Sequence, residues 1–153
     1  MGKTDFSAVQ KELSDLFGDR VRFDEWETRL YSRDMGVLPD SLKKTIDCMP
    51  FAVVQPVSQD ELLNLLRIAS SYELPLVPRG AGTSGYGGII PTRGGIVVDF
   101  VRMKNILEID PDTKTVTVEP AVVWADLDAE LEKQGLATCL YPSSAISSTI
   151  AGL

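Results

Sequence analysis

The chain has 153 residues, 44% hydrophobic and 24% charged, which is typical of a folded domain and excludes a disordered or fibrous segment. A formal net charge of −7 argues against a nucleic-acid-binding surface. The absence of histidine excludes imidazole-based catalysis, imidazole metal sites and cofactor attachment through histidine. No run of about 18 apolar residues occurs, so no membrane span is predicted.

The two cysteines, Cys48 and Cys139, lie far apart in sequence and outside any C-x-x-C pair. Metal clusters need closely spaced ligand pairs, so the sequence predicts no metal site. We expect two buried, reduced thiols in a cytoplasmic protein. The amphipathic, acidic N-terminus lacks the apolar core of a secretory signal.

The N-terminal third contains one clear helix. Apolar residues recur at helical spacing over residues 5–17, and Gly18 can end that helix. Residues 20–50 are predicted to be irregular, with a possible short strand at 20–23 and a turn at 34–36.

A strand, a helix and a second strand are predicted over about 30 residues, the size of a βαβ unit. Residues 51–55 are a β-rich run, and Ser58 with Glu61 forms a capping box at the start of a helix ending near Tyr72. Residues 75–78 read as the second strand. The predicted apolar face of the helix consists of Leu62, Leu63, Leu65, Leu66 and Ala69.

Glycine dominates the next segment, since seven of the chain's 12 glycines lie within residues 79–95. A strand at 96–100 follows, then a hairpin that joins residues 106–110 to 115–120. A helix over residues 125–134 is predicted last, with two inward leucines and a closing glycine. These three residues are Leu127, Leu131 and Gly135.

The glycine segment predicts an anion-binding loop. Gly80, Gly82 and Gly85 match G-x-G-x-x-G, and residues without bulk at Cβ let backbone N–H groups form a concave nest. Thr83 and Ser84 add hydroxyl donors to that nest. Residues 74–105 hold four basic residues and one acid in an otherwise acidic chain, which favours a small anionic ligand, naturally a pyrophosphate.

Other interpretations of the same motif are weaker. A Rossmann site needs a helix after the glycine turn, and here a strand follows. A protein-kinase loop needs downstream motifs that the chain lacks. A surface loop with several positive φ angles remains the non-functional alternative. Arg79 could pair with a phosphate or with a neighbouring acid.

Several segments in order resemble the start of the FAD-linked oxidase superfamily, which includes glycolate oxidase flavin subunits and D-lactate dehydrogenases. The resemblance runs from about Tyr31 to the last residue. It rests on residues 51–56 (FAVVQP), 58–61, 75–84 (PLVPRGAGTS), 95–99, 103–106, 118–120, 126–127, 135–136, 142–144 and 149–152.

The resemblance implies an α+β fold, the PCMH-type FAD-binding domain, with FAD between two small α/β lobes. Residues 1–30 would be an N-terminal helical extension. The first lobe would span about 31–102, and a partial second lobe about 103–153. Because histidine is absent, FAD would be bound non-covalently. Where Ala121 and Ala151 stand, the family usually has glycine, so both alanines must adopt negative φ.

The resemblance also assigns cofactor-binding residues. The glycine loop would wrap the FAD pyrophosphate, residues 142–144 would lie along the flavin or ribityl side, and 149–152 would begin a second contacting loop. For the serines and the threonine, turn formation is the alternative. The residues so assigned are Arg79, Gly80, Ala81, Gly82, Thr83, Ser84, Gly85, Pro142, Ser143, Ser144, Thr149 and Gly152.

The implied parent enzyme oxidises a small 2-hydroxy acid, of the glycolate or D-lactate type, by hydride transfer to flavin N5. The implied partners are the rest of the parent chain with its cap domain and an iron–sulfur electron-transfer subunit. The alternatives are a UDP-N-acetylenolpyruvoylglucosamine reductase-like flavoenzyme and a non-catalytic assembly module without cofactor. Tyr31, Arg33 and Asp34 are candidate catalytic groups, but their turn favours surface placement and no catalytic residue is assigned.

Overall fold

A computed structural model describes residues 6–36, 39, 41 and 48–152 of the chain. Within them, five of the six strands and three of the four helices lie where the sequence predicts them. In chain order the elements are α1 (Phe6–Phe17), a 3₁₀ turn (Gly18–Arg20), β1 (Val21–Arg22), α2 (Glu25–Arg29), β2 (Ala52–Val54), α3 (Gln59–Ser71), β3 (Leu76–Arg79), β4 (Ile96–Asp99), β5 (Ile106–Asp110), β6 (Thr115–Val118), α4 (Trp124–Glu132) and a 3₁₀ turn (Ile150–Gly152). The remaining strand, β1, matches the short strand given as possible.

The first sheet has four strands in the order β1-β2-β4-β3. Strands β2, β4 and β3 are parallel, and β1 is antiparallel to β2. The predicted strand–helix–strand unit is present, but β4 lies between its two strands. All four residues of β4 are buried, as expected for the inner strand of a parallel sheet with a continuous apolar run.

Helices α1 and α3 contribute to the core of this sheet. Val9, Leu13 and Phe17 are buried at helical spacing on α1 and join the same cluster as the strands. Helix α1, which lies in the segment predicted to be an extension, thus packs in the core of this sheet. On α3 the buried stripe is narrower than predicted, because Leu63 and Leu66 are about half exposed. Each of these two residues directly follows a leucine that packs in the core, Leu62 or Leu65, so its side chain points away from the buried face of the helix.

An ion pair ties the end of α1 to the start of α3. Arg20 Nη2 lies 2.6 Å from Glu61 Oε1, and Arg20 Nη1 donates to Glu61 Oε2 over 2.7 Å. The predicted capping box is present in altered form. Ser58 Oγ accepts from the N–H of Glu61, whereas the Glu61 carboxylate accepts from the N–H of Val57 rather than from that of Ser58. The hydrogen bond from Arg20 holds the pKa of Glu61 below its ordinary value despite partial burial.

Glu61→Gln is expected to lower the free energy of unfolding at pH 7 by about 1–2 kcal/mol, because it removes a charge-assisted pair. A depressed carboxylate pKa stabilises the fold above the unfolded-state value, about 4.3, and this stabilisation is lost as pH falls through the folded-state value. The difference in the free energy of unfolding between the variant and the wild type should therefore be smaller at pH 3 than at pH 7. Urea unfolding at both pH values measures it.

Glu108→Gln is the matched control for this prediction, since Glu108 is exposed on β5. A Glu61→Gln deficit that is the same at pH 7 and pH 3 would contradict a role for the ionised pair.

The second unit is smaller. β5 and β6 form the predicted antiparallel hairpin, with a register shift between Ile106 and Glu108. Helix α4 buries Leu127 and Leu131 against it, as predicted. Gly135, with φ of +69°, follows the helix in the left-handed conformation that the C-terminal cap requires.

Two expectations for irregular regions need correction. Within residues 20–50, Asp24 caps a short helix, α2, by accepting from the N–H groups of Trp26 and Glu27. One helical turn is too short to give an apolar period. Neither cysteine forms a disulfide within the described residues, but the expected burial is wrong for both: Cys48 is half-buried, and Cys139 is exposed in the irregular segment after α4. None of the described helices is long and apolar enough to cross a membrane.

Candidate functional site

The glycine loop leaves β3 and contains no helix or strand before β4 begins, as predicted. Within the part of the chain that the structure describes, none of the backbone N–H groups from Gly80 to Gly85 donates a hydrogen bond. Gly82 has φ of +71°, which lets the chain turn sharply there. Six successive N–H groups are therefore free to bind an external acceptor.

A small cavity of ≈ 30 Å³ joins this loop to the C-terminal end of the chain. Thr149, 5% exposed, contributes a hydroxyl with no hydrogen-bond partner among the described residues. A buried hydroxyl without a partner is costly, so this atom is suited to a ligand. The cavity is lined by Gly80, Ala81, Gly82, Thr83, Ser84, Ile89, Thr149 and Gly152, seven of which the sequence assigned to the cofactor.

Gly80 and Gly82, in the first part of the loop, have little room for a side chain. A Cβ added to Gly80 would overlap Thr149 Oγ1, and one added to Gly82 would lie 2.5 Å from Arg79 Nη2. Gly88, by contrast, has no atom within 4 Å of such a Cβ. The beginning of the loop is thus packed against its surroundings, whereas the space around Gly88 is open.

A larger cavity of ≈ 430 Å³ adjoins the small one and shares three of its lining residues. It lies at the carboxyl edge of the parallel strands, the edge where open α/β sheets bind ligands. The second unit supplies its opposite wall. The lining residues are Leu30, Tyr31, Arg79, Gly80, Ala81, Asp99, Val101, Lys104, Ala121, Val123 and Thr149.

A buried carboxylate organises this edge. Asp99 Oδ2 accepts from the Tyr31 hydroxyl over 2.9 Å and from Gln55 Nε2 over 3.0 Å, and Asp99 Oδ1 accepts from the N–H of Val101 over 3.1 Å. Neither Asp99 nor Gln55 was among the residues predicted for the site. The signal was present, because an acid that ends the buried run IVVD lies where a parallel strand reaches the ligand edge.

Surface placement of Tyr31 is wrong: its ring is half-buried and lines the larger cavity. Burial, followed by the charge of Asp99 and the hydrogen bond to it, raises the pKa of Tyr31 to about 12. At neutral pH Tyr31 is therefore a phenol that donates to Asp99, and it is not a general base.

The guanidinium group of Arg79 lies over the face of the Tyr31 ring. Its guanidinium carbon lies 5.2 Å from the centre of the Tyr31 ring, and Nη1 donates to the Arg33 carbonyl over 3.0 Å. A phosphate and a neighbouring acid were the two partners predicted for Arg79. Among the described residues, no acid forms an ion pair with it. The third candidate of the turn, Asp34, is half-buried rather than at the surface and contacts the glycine loop.

Residues 142–144 stand apart from both cavities. The Pro142 carbonyl accepts from the N–H of Ala145, and the Ser144 carbonyl accepts from the N–H of Ser148 over 2.8 Å. In this structure the segment forms a turn. Turn formation is the alternative to cofactor binding for Ser143 and Ser144. Gly85 also lines neither cavity.

The structure accommodates the two alanines, Ala121 and Ala151, that stand where the family usually has glycine. Within the described part of the chain, only Glu73 and Lys114 combine a side chain with positive φ. Ala121 and Ala151 therefore have negative φ, and their methyl groups carry no backbone strain.

Comparisons with known proteins identify the family of the chain. Residues 50–153 match the FAD binding domain family. The chain is 45% identical over 104 residues to glycolate oxidase subunit GlcD of Bacillus subtilis (strain 168), covering 68% of this chain and 22% of that protein. It is 29% identical over 149 residues to the mitochondrial D-lactate dehydrogenase (cytochrome) of Arabidopsis thaliana, covering 95% and 25%.

A solved structure of alkyldihydroxyacetonephosphate synthase superposes with a TM-score of 0.80 at 24% identity, covering 95% of this chain and 30% of that one, and shows the shared fold. The chain thus spans less than a third of the length of each relative. The resemblance and the α+β, PCMH-type fold that it implies are confirmed. The chain belongs to the FAD binding domain family, whose members are FAD-linked oxidoreductases.

Proposed function

We propose that the chain is the FAD-binding portion of a flavin-dependent oxidoreductase that oxidises a small 2-hydroxy acid. The observation that carries this proposal is the run of six backbone N–H groups from Gly80 to Gly85 that donate to no acceptor among the described residues. A diphosphate presents several acceptor oxygens, and the exposed N–H groups of a glycine-rich backbone can donate to them together.

The residues around the cavities fit FAD. The backbone of residues 80–85 would hold the pyrophosphate, and the unpartnered Thr149 hydroxyl would donate to it from the opposite side. Gly80 and Gly152 leave that hydroxyl uncovered. When bound, FAD supplies the two-electron redox chemistry, and the protein binds and orients it. We keep Pro142, Ser143 and Ser144 as proposed contacts to the flavin or ribityl side.

The substrate class rests on what two relatives are named for, glycolate and D-lactate. Both substrates are small 2-hydroxy acids. We further propose that the rest of the polypeptide supplies a cap domain and the catalytic residues, and that electrons leave through an iron–sulfur subunit. The lobes would divide near residue 102, after an extension of residues 1–30. Two cysteines that form no disulfide within the described residues favour a cytoplasmic location.

Titration of the chain with FAD tests the proposal directly, and the variant Thr149→Val tests the contribution of the Thr149 hydroxyl. Valine keeps the shape of threonine but removes a buried hydroxyl that has no partner. We expect the variant to bind FAD about tenfold more weakly, about 1.4 kcal/mol. Its stability without FAD should be unchanged or higher, because an unsatisfied polar group has been removed.

The control is Thr117→Val, an exposed position on β6, which should change neither quantity. Flavin fluorescence quenching and thermal unfolding are the two measurements. No FAD binding by the wild-type chain would favour the assembly module. Equal affinity of the wild type and Thr149→Val would remove Thr149 from the site.

A further inference from the structure

The far end of the glycine loop is fixed by one short segment, residues 31–36. Asp34 Oδ2 accepts from the N–H of Gly87 over 2.7 Å, and Oδ1 accepts from the N–H of Gly36 over 2.8 Å. The N–H of Met35 donates to the Ser84 carbonyl over 3.0 Å. A Cβ on Gly36 would overlap the Gly85 carbonyl, so the two backbones lie in direct contact.

The same segment holds the near end of the loop through Arg79. The Arg33 carbonyl accepts from Arg79, and the Tyr31 ring lies beneath the guanidinium. The Tyr31 hydroxyl is in turn held by Asp99. Between these two attachments run residues 80–83, whose N–H groups are unpaired.

A loop rich in glycine loses much conformational entropy when a ligand orders it. Fixing both ends before binding removes part of that loss and raises affinity. The hydrogen bond from the N–H of Gly87 to Asp34 is charge-assisted and joins two segments about 50 residues apart in sequence. The bond from the N–H of Gly36 to the same carboxylate is local and holds the turn that positions Asp34.

We propose that Asp34 is a positioning residue, whose carboxylate presets the far end of the glycine loop so that its N–H groups meet an incoming pyrophosphate already ordered. This inference rests on the proposed function for its ligand, and on the contacts of residues 31–36 alone for its geometry. Asp34 touches no reacting atom. Its effect is transmitted through Gly87 and the backbone of residues 84–87.

The test compares Asp34→Asn with Asp112→Asn, which removes the same charge from the exposed β5–β6 turn. Asparagine keeps one acceptor oxygen but presents an N–H₂ group to one of the two backbone donors. We expect Asp34→Asn to weaken FAD binding at least about tenfold and Asp112→Asn to leave it within about twofold. Thermal unfolding without FAD controls for a general loss of structure.

Amide hydrogen exchange of the FAD-free protein separates this inference from the proposed function. Faster exchange at Gly87 in Asp34→Asn, and not in Asp112→Asn, supports the positioning role even if the wild-type chain binds no FAD. Unchanged exchange at Gly87, or unchanged FAD affinity where the wild type binds, would overturn it. Should Asp34→Asn fail to fold, Gly36→Ala separates the same two backbones by bulk and is expected to give the same two changes.

Discussion

Gly80→Ala is expected to weaken FAD binding about 100-fold, about 2.7 kcal/mol. The added methyl group would overlap Thr149 Oγ1, so the hydroxyl must rotate away or the loop must move outward. Thr149 is buried and β-branched, and its rotamer is therefore restricted. Either movement separates the loop N–H groups from the one side-chain hydroxyl that faces them.

The matched control for Gly80→Ala is Gly88→Ala, in the same loop. Gly88 has open space around the position of a Cβ and does not have positive φ, so alanine should be neutral there. Flavin fluorescence titration of both variants measures the difference in affinity. Equal affinities would show that FAD does not bind against Gly80 and Thr149, and the pyrophosphate assignment would fail.

Local patterns in the sequence were sufficient for most elements of the fold. The period of Val9, Leu13 and Phe17 identified α1, and the Ser58 cap fixed the start of α3. The glycine segment predicted a loop between two strands because so few of its residues favour regular structure. These features depend on residues within one or two turns of each other.

The contacts that hold the site together depend on residues far apart in sequence. Tyr31 and Asp99 are 68 residues apart, and Asp34 and Gly87 are 53 apart. A turn containing tyrosine, arginine and aspartate resembles any exposed turn until the strand order brings β4 next to β3. The family resemblance identified the cofactor and predicted the loop that binds it, but the contacts of residues 31–36 with that loop become visible only in three dimensions.

Burial on α3 shows the same limit on a smaller scale. Five apolar residues were predicted for the buried face of α3, but only some of them are buried against the sheet. Leu65 is 1% exposed and belongs to the main core cluster, whereas the adjacent Leu66 is 53% exposed. Two neighbouring leucines with the same helix propensity therefore differ only in what they pack against.

Leu65→Ala is expected to lower the free energy of unfolding by about 2–5 kcal/mol, because it removes buried methyl groups and leaves a cavity. Such a loss is a large part of the total stability of a domain, about 5–15 kcal/mol. Leu66→Ala should change stability by no more than about 0.5 kcal/mol, as exposed substitutions usually do. Alanine raises helix propensity equally at both positions, so propensity cancels in the comparison.

Urea unfolding followed by circular dichroism measures both variants on the same scale. A shift of the Leu65→Ala midpoint alone would support the observed packing, in which Leu65 faces the core and Leu66 faces solvent. Equal losses in the two variants would mean that Leu66 is also covered. In that case α3 would carry the wider apolar face that its sequence suggests, and the packing described for the first lobe would be incomplete.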